Sequence, residues 1–191
     1  AHLSDAQGGW ETIAPSAIPF GGDLPKIPRA MTEADIARVQ HDFVATAQRA
    51  LTAGFNFLEL HAAHGYLFNE FLSPLANQRT DQYGGSFENR VRLLVDTTRA
   101  VRKVWPDHLP LAVRISAIDW KDGGWQIEDS IALAKLLKAE GVDLMDCSSG
   151  GVVPDAKITV APGEQVSVAE KIRQGSNIPT AAVGFITQPK Q

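Results

Sequence analysis

The chain has 191 residues, 44% of them hydrophobic and 21% charged, with a net charge of −4. These values are typical of a globular protein that buries one good-sized core, and they exclude a disordered or fibrous chain. No cluster of Lys and Arg interleaved with aromatics points to nucleic acid, and no apolar run approaches the roughly 20 residues that a membrane span needs. We expect a cytoplasmic protein with a small-molecule partner, no nucleic acid and no membrane.

The first third of the chain leads to one short run of chemically useful side chains. Residues 1–30 are rich in proline and glycine, which predicts a long loop with at most a short hairpin. Thr32 and Asp35 have the spacing of a helix start, and apolar residues then recur every three or four positions until Gly54. The apolar run 55–60 predicts a buried strand, and the segment that follows it directly, His61-Ala62-Ala63-His64-Gly65-Tyr66, is expected to form a loop.

The rest of the chain alternates helix and strand patterns. The predicted elements after this run are helix 67–72, a helix from Ser86 to Pro106, strand 111–115, a helix ending near Gly141, strand 142–147, a helix around Val168 and Ile172, strand 180–183 and a helix start at Thr187. Strands separated by helices predict βα units with a parallel sheet. An open doubly wound sheet and part of a barrel both fit this pattern. We favour an α/β fold that is a (β/α)8 TIM-barrel fragment of about four βα units, because polar and glycine-bearing segments follow the strands.

The run 61–66 has the residue types for carbonyl chemistry. An imidazole donates a hydrogen bond to a carbonyl oxygen, and a phenol delivers a proton without ionising at neutral pH. The same spacing also fits a metal pair or packed histidines. A metal site lacks a convincing third ligand, because Glu59 points to the opposite side of its strand from Leu60 and no later His falls at a strand end. The single cysteine, Cys147, lies in an apolar run and is interpreted as a buried structural thiol.

Several segments together carry a resemblance to a known family. They are 61–67, 71–74, 77–86, 88–90, 114–116, 141–150 and 182–184. These segments closely resemble the old yellow enzyme family of FMN-dependent ene-reductases, in particular its thermophilic-like bacterial branch. The resemblance implies an enzyme that binds FMN at the C-terminal mouth of a barrel and uses NADPH or NADH as reductant. It implies small-molecule substrates, enones and nitroalkenes, whose C=C bond is reduced.

The resemblance also assigns roles to individual residues. His61 and His64 match the pair that binds the carbonyl oxygen of the substrate, and Tyr66 matches the proton donor. Arg114 matches an arginine at the N1/O2 edge of the flavin, where its permanent charge stabilises negative charge; its alternative is a buried ion pair. Gly184 would approach the FMN phosphate, or is simply a turn glycine. No metal is expected.

Other residues of the resembling segments are expected to be structural. Asp81 and Tyr83 would order their loop, and Trp120 and Trp125 would pack, with a position lining the mouth of the barrel as their alternative. The small residues at 148–150 are left outside the site, because small residues are common in βα loops.

The resemblance implies one domain over 1–191 that forms the central part of an FMN-binding barrel, with the first strands and the last strand missing. The full-length protein is expected to be a homo-oligomer. Larger relatives with an added iron–sulfur cluster share the same loop motif. Two alternatives stay open: a metal-dependent barrel hydrolase that uses His61 and His64 as ligands, and a catalytically inert fragment that acts as a binding or assembly module.

Overall fold

The computed structural model describes residues 3–188 as alternating strands and helices. The strands are β1 (Ile13–Ala14), β2 (Arg29–Ala30), β3 (Leu58–Ala62), β4 (Leu111–Ser116), β5 (Leu144–Ser148) and β6 (Thr180–Ala182). The helices are α1 (Glu33–Thr52), α2 (Leu67–Leu72), α3 (Phe87–Arg102), α4 (Ile127–Ala139) and α5 (Val166–Ser176), with a short 3-10 helix at Asp5–Gln7. No helix in this described part is long and apolar enough to span a membrane.

The main sheet is parallel and has the order β3-β4-β5-β6. Its strands neighbour each other in chain order, as in a barrel, without the reversal that a doubly wound sheet has at its switch point. The N-terminal loop was predicted correctly over its described part, except that β1 and β2 pair in parallel. The expected hairpin is reduced to a tight turn in which Gly21 pairs with Leu24.

Helix α1 begins as its sequence predicts. The Thr32 hydroxyl accepts a hydrogen bond from the Asp35 backbone N–H at 3.1 Å, and the Asp35 carboxylate accepts one from the Thr32 N–H at 2.9 Å. This reciprocal capping satisfies two backbone donors that the first turn leaves free. The N-terminus of α1 is therefore fixed by its cap, and the chain continues from this helix into β3.

Some predicted boundaries were wrong by two to four residues, each for a local reason. Strand β3 covers Leu58–Ala62 and not 55–60, since Phe55 and Phe57 lie before it and are 63% and 46% exposed. Helix α3 ends at Arg102, ahead of Pro106. Residues 183–188 contain no helix, and the rest of the helix predicted from Thr187 lies outside the described residues.

The two faces of the sheet differ in chemistry. Leu60, Val113 and Met145 pair in register and are buried against the helices. Because side chains alternate along a strand, the next register row points to the other face. That row is His61, Arg114, Asp146 and Ala181. The face away from the helices therefore carries a histidine and an ion pair at the carboxyl ends of three strands.

Candidate functional site

The predicted cluster of His61, His64 and Tyr66 is assembled at the end of β3. The sequence placed His61 in the loop after the strand, but it lies within β3. Its ring centroid lies 5.3 Å from that of His64 and 5.4 Å from that of Tyr66. Tyr66 is the N-cap residue of α2 and its side chain is 65% exposed. The His61 ring therefore lies next to both of the other two rings, and the tyrosine of the cluster is open to solvent.

The turn after β3 is held by the side chain of Ser116, the last residue of the neighbouring strand β4. The His64 backbone N–H donates to Ser116 Oγ at 2.9 Å, and that hydroxyl donates to the Gly150 carbonyl at 2.6 Å. His64 has a φ of +59°, a conformation that costs a residue with a side chain about 1–2 kcal/mol. Ser116 thus fixes a strained residue between the loops that follow β3 and β5, and neither contact could be read from sequence.

Two glycines allow these loops to touch. A Cβ added to Gly65, whose φ is +74°, would lie 2.2 Å from the Gly151 carbonyl oxygen. A Cβ added to Gly151, whose φ is +98°, would lie 2.7 Å from His64 Cα. Both positions therefore require glycine, for conformation and for space. The close approach places the β5 loop directly beside His64.

Ser148, which the sequence analysis left outside the site, contacts one of the candidate site residues in the structure. Its Oγ lies 2.6 Å from Nε2 of His64, and the residue is only 6% exposed at the end of β5. The signal in the sequence was weak, because a serine after a strand is common in βα loops. The parallel pairing of β4 with β5 and of β3 with β4 is what brings residues 84 positions apart together.

Arg114 contacts a partner that the sequence interpretation did not name. Its Nε lies 3.5 Å from Oδ2 of Asp146, the residue opposite it on β5. The ion-pair alternative for Arg114 is therefore present in the structure. The pair is incomplete, however, since Arg114 Nε and Asp146 Oδ1 are both buried and have no hydrogen-bond partner among the described residues. Buried polar atoms without hydrogen-bond partners are rare in native proteins, so these two atoms mark the pair as a candidate for binding a polar group.

Burial and the Arg114 charge keep the two histidines neutral. Burial, followed by the neighbouring guanidinium, lowers the pKa of His61 and that of His64 below the ordinary 6.5. At neutral pH each ring therefore has one donor and one acceptor nitrogen. The tautomer of each histidine therefore decides which of its two ring nitrogens donates a hydrogen bond.

Glu59 lies on the same face as His61, two residues earlier in β3. Glu59 lies on the opposite face from Leu60, as expected. Because His61 is also opposite Leu60, this geometry places Glu59 on the histidine face, and the argument that excluded Glu59 as a metal ligand was wrong. Burial, and then the Asp146 charge, raises the pKa of Glu59. Within residues 3–188, no three His, Cys, Asp or Glu side chains are grouped so that they could hold a metal ion.

Gly184 follows β6 with a φ of +96°, a conformation that suits a turn glycine. A Cβ there would lie 3.0 Å from Glu164 Cγ, so backbone and side chain approach closely. The structure therefore shows a turn conformation at Gly184, and the role of this residue in binding the cofactor stays a proposal.

Most residues expected to be structural occupy structural positions, but Trp120, which was expected to pack, is 37% exposed. Trp125 is fully buried and its Nε1 donates to Ser130 Oγ at 2.7 Å. Asp81 accepts hydrogen bonds from Arg79 Nε and from the Tyr83 backbone, both at 3.0 Å. Cys147 is fully buried, and burial raises the pKa of its thiol to about 12. That cysteine is an inert core residue.

The fold and the site together define a class, that of βα-barrel proteins with a ligand site at the carboxyl ends of their strands. The chain belongs to the NADH:flavin oxidoreductase / NADH oxidase family, whose model matches residues 11–191. This match confirms the predicted resemblance and the expected pairing of FMN with a nicotinamide reductant at the level of the family.

Individual relatives agree with the family. The chain is 56% identical over 177 residues to an NADPH dehydrogenase from Bacillus velezensis, which covers 93% of this chain and 51% of that protein. A solved 2-naphthoyl-CoA reductase complex matches with a TM-score of 0.87 at 31% identity, over 94% of this chain and 28% of that one. An old yellow enzyme homologue from Zymomonas mobilis matches with a TM-score of 0.78 at 29% identity, over 97% of this chain and 54% of that one. These neighbours confirm the TIM-barrel class, and the chain spans about half the length of the curated relatives it matches.

Proposed function

We propose that the full-length protein containing this chain is an FMN-dependent NAD(P)H ene-reductase that reduces the C=C bond of enones and nitroalkenes. The observation that supports it best is the grouping of His61, His64 and Tyr66, with ring centroids 5.3 and 5.4 Å apart, beside Arg114 in the same register row as His61. Two imidazoles and one phenol in one cluster suit an acceptor with one oxygen and one carbon to be protonated.

Arg114 would hold the polar edge of FMN. Its buried Nε without a partner supplies a donor for a ring atom, and its charge is permanent at any working pH. Asp146 Oδ2, which lies 3.5 Å from this Nε, compensates the charge of the guanidinium. The chemistry that FMN supplies when bound is hydride transfer, with NADPH or NADH as the hydride source. Gly184 is proposed as a phosphate contact through its backbone N–H only.

His61 and His64 would bind the acceptor oxygen. Because their pKa values lie below 6.5, they act as neutral donors at pH 7 and retain their protons when negative charge develops on that oxygen. The two ring centroids lie 5.3 Å apart, which is close enough for one oxygen to accept a hydrogen bond from both. These donors polarise the conjugated system and orient it.

Tyr66 would deliver the proton to the α-carbon. Its phenol lies at the edge of the His61 ring and is 65% exposed, so it reaches a molecule held by the two histidines. A positioned general acid contributes about 10²–10⁴-fold. Homo-oligomerisation of the full-length protein and a cytoplasmic location are part of the same proposal.

The test compares Tyr66→Phe with Tyr83→Phe in the full-length protein. Tyr83 packs edge-on against Phe71 at 6.5 Å, away from the site, and controls for loss of a phenol. We expect Tyr66→Phe to slow cyclohexenone reduction strongly and nitroalkene reduction less, because a nitronate product is stable enough to be protonated in solution. Equal losses on both substrates would mean that Tyr66 positions the substrate and donates no proton.

A visible spectrum of the purified protein separates the alternatives. Flavin bands support the proposal. A stoichiometric metal without flavin would favour the barrel hydrolase that uses His61 and His64, and the absence of both would favour an inert binding module.

A further inference from the structure

We propose that Ser148 is a positioning residue that donates its hydroxyl hydrogen to Nε2 of His64 and so fixes the proton of that ring on Nδ1. The ring then presents an Nδ1–H donor to the acceptor oxygen. The second half of this statement rests on the proposed function, whereas the tautomer itself does not. The inference starts from the 2.6 Å contact between Ser148 Oγ and His64 Nε2.

The Ser148 hydroxyl is free to donate. Its only recorded side-chain contact among residues 3–188 is the one to His64. The neighbouring hydroxyl of Ser116 is committed elsewhere, since it donates to the Gly150 carbonyl and accepts from the His64 backbone N–H. The two serines therefore contact different parts of His64: Ser116 fixes its backbone, and Ser148 fixes its ring.

The direction of the Ser148 hydrogen bond decides what His64 can do. A neutral imidazole has one N–H and one lone pair, and the partner of one nitrogen determines the state of the other. If Nε2 donated to Ser148, Nδ1 would point a lone pair at the acceptor oxygen and repel it. If Nε2 accepts, Nδ1 carries the hydrogen and attracts that oxygen. No hydrogen-bond partner of Nδ1 is recorded among the described residues, and His64 is exposed.

The ring is held in place at both ends. The backbone of His64 is fixed at a φ of +59° by Ser116 and by the close approach of Gly151, which leaves no room for a Cβ. Ser148 and Gly151 belong to the same strand end, three residues apart. A single segment therefore sets the position of His64 and the orientation of its ring.

The experiment measures the tautomer directly. Full-length protein is labelled with ¹⁵N-histidine, the His64 signals are identified by their loss in His64→Ala, and the nitrogen shifts show which ring atom carries hydrogen. We expect Nδ1–H in the wild type and in Ser148→Thr, which keeps the hydroxyl. We expect a shift towards Nε2–H in Ser148→Ala. Ser149→Ala is the matched control, because Ser149 is also buried but contacts Gln165 at 2.8 Å.

Ligand affinity gives the second measurement. Binding of a phenol to the FMN-loaded protein should weaken about tenfold in Ser148→Ala, the loss expected for one misdirected hydrogen bond, and recover in Ser148→Thr. A wild-type His64 with its hydrogen on Nε2 overturns the proposal even if Ser148→Ala fails to fold. A tautomer unchanged by Ser148→Ala overturns it as well. Nδ1–H in a wild type that binds no phenol would instead contradict the proposed function and leave the Ser148 role standing.

Discussion

Replacement of Gly65 by alanine tests whether the contact between the β3 and β5 loops builds the site. The new Cβ would lie 2.2 Å from the Gly151 carbonyl oxygen, so the two backbones must separate by more than 1 Å to restore a normal contact. The φ of +74° adds a conformational cost of about 1–2 kcal/mol, and overpacking of this kind costs about 1–3 kcal/mol more. We therefore expect Gly65→Ala to lower the free energy of unfolding by about 2–5 kcal/mol.

Gly123→Ala is the matched control for that variant. Gly123 has nearly the same φ, +76°, but a Cβ there would meet nothing within 4 Å. It should lose only the conformational cost of about 1–2 kcal/mol. Urea unfolding of both variants measures the difference, and phenol binding should weaken in Gly65→Ala alone, since His64 moves with its neighbour. If the two variants lose the same stability, the loops are not in contact and the reasoning fails.

Three further predictions follow from single residues. His64→Ala should weaken phenol binding and slow reoxidation of the flavin by an enone, at a cost of about 3 kcal/mol, while reduction by NADPH stays comparatively intact; unchanged enone kinetics in stopped flow would contradict this. Burial raises the pKa of Glu70 from its ordinary 4.5 to about 7. Between these two pH values the folded state keeps a proton that the unfolded state has released, so the free energy of unfolding falls as the pH rises from 4.5 to about 7. Glu70→Gln should remove that loss, by no more than about 3 kcal/mol at pH 8 in urea unfolding and by little at pH 5. Cys147, fully buried, should react with a thiol reagent only at the rate of unfolding; fast labelling of the folded protein would disprove its burial.

The local part of the site was predictable from sequence. His61, His64 and Tyr66 lie within six residues, and the capping pair Thr32 and Asp35 within four, so their geometry depends on one strand end and one turn. Even there the sequence placed β3 too early, because Phe55 and Phe57 look like core residues and are exposed. Hydrophobic residues predict burial only on average.

The non-local part was not predictable from one sequence. Asp146 and Ser148 lie more than 80 residues beyond His61, and nothing in their own neighbourhood marks them as partners of Arg114 and His64. Their roles depend on strand order and register, which hydrophobic patterns constrain only to within a residue or two. Contacts of this kind appear only when the sheet is assembled.

The register of the parallel sheet is what turns separate βα units into one site. His61, Arg114 and Asp146 form one row across β3, β4 and β5. Ser116 and Ser148 pair two residues further along β4 and β5, and so lie on the same face of the sheet. Because side chains alternate with a period of two, a slip of one residue between any two strands would turn one member of the row towards the helices. The buried row Leu60, Val113 and Met145 prevents that slip, since it would expose apolar side chains and bury charged ones. The core thus determines the alignment that lets Ser148 meet His64 and lets Asp146 meet Arg114.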